Sequence, residues 1–131
     1  MLNTLLMSGP NLMTKTQRKK KVEQLGTKYR DKLHLGEWHI DFVISDDYDN
    51  GDGAAGECRS SHVYRNATIT LYQCAFKKPN DLEHIIKHEL SHCLTDPLYK
   101  YCYDFLNGRF RTHHDIEDQR EILTEWIAKL I

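Results

Sequence analysis

Between Glu37 and Ser45 the apolar residues Trp38, Ile40, Phe42 and Ile44 take every second position, and between Val63 and Gln73 Ala67, Ile69 and Leu71 alternate with Thr68, Thr70 and Tyr72. A period of two turns one face of an extended chain to a core and the other to water, so both stretches read as strands, with Glu57 to Ser61 as a third. On either side the period lengthens. Thr14 to Leu33 carries Val22, Leu25, Tyr29 and Leu33 among charges at helical spacing, and Gly36 breaks that run. Leu82, Ile85, Ile86, Glu89, Leu90 and Cys93 trace a second helix, capped by Asn80 or Asp81, with Glu83 adding charge near its positive end. It is expected to stop at Asp96-Pro97. After tyrosines 99, 101 and 103 and an Asn107-Gly108 turn, Ile116, Leu123, Trp126, Ile127 and Leu130 mark one face of a last helix from about Asp115 to Leu130. The order helix, strands, helix, helix predicts an α+β fold: a small mixed sheet of three or four strands packed on the second helix.

The chain has 131 residues, 40% hydrophobic and 28% charged, with no Pro/Gly/Ser-rich linker. It reads as one domain over 1–131: a weakly patterned start over 1–13, the N-terminal helix over 14–35 and the core over 36–131. A formal net charge of -1 gives no global pull towards nucleic acid or anionic membranes, and the basic run Arg18 to Lys21 reads as a solvated helix face. The longest apolar stretch near the start, Leu5 to Met7, is far too short for a membrane span or a signal sequence, which predicts a soluble, cytoplasmic protein. Four cysteines without a C-x-x-C pair read as reduced thiols. The acidic loop Asp46 to Gly56 lacks the ligand register of an EF-hand, which argues against calcium there.

The chemistry lies in His88-Glu89-Leu90-Ser91-His92. Imidazoles at i and i+4 stand one turn apart on one helical face and reach a single ion. Glu89 projects from the side of that face, towards a metal-bound water rather than the metal, and can take the water's proton. Zinc is expected from two imidazoles and a carboxylate, although manganese or cobalt suits the same donors. A catalytic zinc takes three protein ligands and a water, so a third ligand is required. The metzincin pattern is excluded, since Thr95 and Leu98 stand where its Gly and His would fall. Glu121 lies nearly opposite the apolar stripe of its helix, where a charged residue is ordinarily solvated. Glu117, Asp118, His84, His113, His114 and Asp96 also compete; Asp96 reads more simply as a helix-end residue.

Together with Glu121-Ile122-Leu123-Thr124-Glu125-Trp126-Ile127-Ala128, the motif resembles the gluzincins, the family typified by thermolysin. More widely, the stretch from about Trp38 to Leu130 resembles the minimal gluzincin-type metallopeptidases of phages, prophages and prokaryotes, the minigluzincins. The resemblance implies Glu121 as third ligand and Glu125 as an acceptor that orients a ligand imidazole. It also implies a small sheet on the active-site helix, with a cleft at an edge strand near Ala67 to Leu71 that pairs with an extended peptide.

On this reading the chain is a zinc-dependent metallopeptidase acting on peptide or protein substrates, with Glu89 as general acid/base. A donor for the oxyanion is expected among Tyr99, Tyr101, Tyr103, Arg111, His113 and His114. Two rivals stand beside it. One is a zinc-stabilised binding or regulatory module with a latent or inactive site, against which Glu89 argues. The other is a DNA-associated protease of the SprT type docking through Arg18 to Lys21, which the near-neutral charge disfavours.

Overall fold

The computed structural model describes residues 13–109 and 112–130, the side chains of 79, 126, 127, 129 and 130 excepted. Expectations for 1–12, for Arg111 and for the side chains of Trp126, Ile127 and Leu130 lie outside the described residues. The fold is α+β. Helix α1 (Lys15–Lys32) is followed by strands β1 (His39–Ile44), β2 (Gly56–Ser61) and β3 (Asn66–Leu71), a 3-10 turn (Gln73–Phe76), and helices α2 (Pro79–Leu106) and α3 (His113–Leu130).

Helix α1 begins with a capping box: the Gln17 N–H donates to Thr14 Oγ1 at 3.1 Å, and the Thr14 N–H donates to Gln17 Oε1 at 2.9 Å. It ends before the expected glycine. His34 takes a left-handed φ of 58°, the Leu35 N–H donates to the Arg30 carbonyl at 3.0 Å and the His34 N–H to Asp31 at 3.2 Å. This Schellman motif buries Leu35 completely and ends the helix at Lys32, with His34 in the place where Gly36 was expected to act.

The sheet has three strands in the order β1-β3-β2, with β1 parallel and β2 antiparallel to β3. The strand expected over Val63 to Gln73 stops at Leu71, and the chain then coils so that Ala75 and Phe76 enter the core. Ala67, Ile69 and Leu71 are buried, as their alternation requires. Gly26 admits close packing between α1 and β1: a Cβ there would come within 2.6 Å of the Phe42 ring.

Helix α2 departs furthest from expectation. It opens on Pro79, with Asn80 and Asp81 inside the first turn rather than capping it, and no side chain caps the preceding Lys78. It also runs through Pro97 to Leu106, so tyrosines 99, 101 and 103 are helical. A mid-helix proline removes one N–H donor and crowds the preceding turn. Here its ring is fully buried, and that burial offsets part of the cost. Leu82, Ile86, Leu90 and Cys93 form the buried stripe that seats α2 on β2, β3 and α1.

Ile69 sits at the centre of this core with no exposed surface. Ile69→Ala is expected to lower stability by about 2–5 kcal/mol, read from urea unfolding with an unchanged m-value.

Candidate metal centre

The burial of α2 sets how its polar residues face. His88 is exposed, His92 half-buried and Glu89 buried, although all three lie within five residues. Each imidazole turns Nε2 towards Glu89 Oε1, at 3.9 Å for His88 and 4.0 Å for His92, and the two rings meet edge to face with centroids 4.9 Å apart. One donor atom from each of the three residues lies within 4.8 Å of the others, a grouping able to hold a metal ion. Zinc held by two imidazole nitrogens would lie about 2.0–2.1 Å from each.

Among the described residues Glu89 is the only charged side chain in the buried core, and its Oε2 has no hydrogen-bond partner there. Burial pushes its carboxyl above the ordinary range, while His92 and then His88 draw it back in part. A buried, half-satisfied carboxylate is costly in a purely structural role.

Strand β2 forms the wall facing Glu89. A cleft of about 690 Å³ lies between this strand and α2, lined by Gly56, Glu57 and Cys58 on one side and by Glu89, His92 and Tyr99 among others on the opposite side. The strand beside the site is therefore β2 and not the Ala67–Leu71 segment. That segment is β3, the central strand, whose backbone groups are engaged on both sides. The Cys58 thiol meets that of Cys93; this hydrogen bond, followed by burial, holds Cys58 far above the usual thiol range, which does not suit a nucleophile.

The other expected site residues are spread more widely. Glu121 and Glu125 are exposed on α3; Glu121 has a side chain 73% accessible and stands 3.9 Å from Arg120. Neither joins the histidine pair among the described residues. Glu117 pairs with His113 at 2.9 Å and Asp118 with His114 at 3.6 Å, which occupies both histidines and both acids. His84 is exposed, its ring 6.5 Å from that of His88. Of the expected oxyanion donors, Tyr99 lines the cleft and stacks on Tyr103 at 6.2 Å.

Asp96 is the residue whose place changes most. It is not at a helix end but inside α2, with Oδ1 3.6 Å from His92 Nδ1 and Oδ2 accepting from Ser60 Oγ of β2 at 2.5 Å. Its spacing of four from His92 was visible in the chain, but the apparent stop at Pro97 hid its meaning.

No family model, curated protein or solved structure matches this chain.

Gly56 is the point where β2 touches the site. A Cβ there would lie 2.9 Å from Ile85 Cγ2 and 3.1 Å from Glu89 Cγ. Gly56→Ala is expected to cost about 1–3 kcal/mol by overpacking, measured as a lowered thermal midpoint, whereas Gly36→Ala, with open space around it, should leave that midpoint nearly unchanged.

Proposed function

We propose that the chain is a zinc-dependent metallopeptidase in which His88 and His92 hold the metal and Glu89 is the general acid/base. The observation that carries this reading is the buried Glu89, one carboxylate oxygen unpartnered and the other about 4 Å from two imidazole nitrogens, at the mouth of a cleft. The residues fit a divalent ion: the imidazoles offer neutral nitrogen donors, and Glu89 is placed to meet a water between them.

Zinc bound there supplies Lewis acidity, which makes a water acidic near neutral pH and polarises a carbonyl. The chain's own residues do the rest. Glu89 accepts the proton of the attacking water and delivers it to the departing amine. Tyr99 is the cleft residue suited to donate to the developing oxyanion. Among the described residues strand β2 pairs only with β3, so its outer edge can accept an extended peptide, which supports peptide or protein as the substrate class. Among the described residues no helix is long and apolar enough to cross a membrane, and in this reading the protein works in the cytoplasm.

The third ligand is proposed to come from α3, with Glu121 first by its resemblance to the gluzincin pattern and Glu125 as the acceptor behind an imidazole. Elemental analysis of dialysed protein addresses this directly. One zinc per chain in wild type, lost in His92→Ala and in Glu121→Ala, is the expected result; zinc kept in Glu121→Ala would move the third ligand to Glu117, Asp118 or His113. Glu89→Gln should retain zinc yet cleave a peptide library at least about 100-fold more slowly. Cleavage by wild type should disappear on chelation and return with zinc. A wild type without zinc, or a Glu89→Gln variant as active as wild type, would sink the proposal.

A further inference from the structure

We propose that Asp96, held by Ser60 of β2, is the positioning residue that fixes the His92 ring with Nε2 turned to the metal. The proposal rests on the metal-site reading above and adds a residue for which neither the motif nor the resemblance assigns a role.

The two nitrogens of His92 face different groups. Nε2 is turned to the site, 4.0 Å from Glu89 Oε1, and Nδ1 lies 3.6 Å from Asp96 Oδ1. A neutral imidazole carries its proton on one nitrogen and a lone pair on the other, and a carboxylate beside Nδ1 draws the proton there. The lone pair is then left on Nε2, where an ion would take it. At 3.6 Å the two groups are within ion-pair range and beyond a hydrogen bond, so the carboxylate acts on the ring through its charge.

An aspartate one helical turn from its partner still has rotamers that point into water. Ser60 removes that freedom by donating to Oδ2 at 2.5 Å from the facing strand. Asp96 is not among the donors grouped around one possible ion position, and its Oδ2 already accepts from Ser60. Two points of β2 thus bear on the site, Gly56 against Glu89 and Ser60 through Asp96 on His92. Outer partners of ligand histidines commonly contribute one to two orders of magnitude to metal affinity.

The test is the zinc dissociation constant of the full chain, measured by competition with a chromophoric chelator, for wild type, Asp96→Ala, Asp96→Asn and Ser60→Ala. Asp96→Ala should bind about 10- to 100-fold more weakly, with smaller losses for the other two, which keep an acceptor or the carboxylate itself. Loaded with cobalt(II), every variant should keep the band positions of wild type, because the ligand set is unchanged. Wild-type affinity in all three variants would overturn the positioning role. Cobalt bands that move in the Asp96 variants would overturn it in favour of direct ligation. A wild type that takes up neither metal would remove this proposal and the metal-site reading together. Should Asp96→Ala fail to fold, judged by its thermal melt, Asp96→Asn and Ser60→Ala decide the question, since both preserve the shape of the site.

Discussion

The buried stripe of Leu82, Ile86, Leu90, Cys93 and Pro97 fixes the rotation of α2, and every functional side chain takes its exposure from that rotation. At about 100° per residue, Glu89 falls on the flank of the stripe, Asp96 slightly further round, His92 beyond it and His88 nearest the solvent side. The graded burial follows this order: Glu89 inside, Asp96 and His92 half-covered, His88 open. A helix turned by a single residue would, depending on the sense of the turn, either bury His92 or expose the Glu89 carboxylate. The apolar packing therefore does more than stabilise the chain, since it holds a charged group at the boundary of the core where its environment is chemically useful.

That placement costs free energy. Glu89 has been drawn out of water with one oxygen unpartnered, and the two imidazoles compensate only partly through their field. The cost makes sense if an ion and its water complete the site. Strand β2 then appears as a working part of the centre. Its glycine brings backbone against Glu89, its serine restrains Asp96, and its free edge borders the cleft. An edge strand in the sequence would ordinarily be read as closing a small sheet; here it also lines the cleft beside Glu89 and His92.

Much of this could be read along the chain. The alternation of Trp38, Ile40, Phe42 and Ile44, and of Ala67, Ile69 and Leu71, located two strands because period two has no helical counterpart. Val22 and Leu25 located the inner face of α1 for the converse reason. The signals expected to end helices failed where a local rule met a tertiary one. His34 adopts a left-handed conformation usually given to glycine, because burying Leu35 repays it. Pro97 continues a helix it should have ended, because its ring fills the core. A misplaced helix end had consequences for function: it turned Asp96 into a terminus and the three tyrosines into a connection.

What the sequence by itself determined is the α+β class, the helix under His88, Glu89 and His92, and their common face, since all three follow from periodicity within one segment. Only the tertiary structure decided that β3 is central and β2 borders the site, that Glu89 is buried while His88 is not, and that Ser60 reaches Asp96 across 36 positions. Helical periodicity acts within a few residues and is written in order along the chain. Strand order and contacts between distant segments depend instead on how several apolar faces share one core, and no single segment of sequence contains that information.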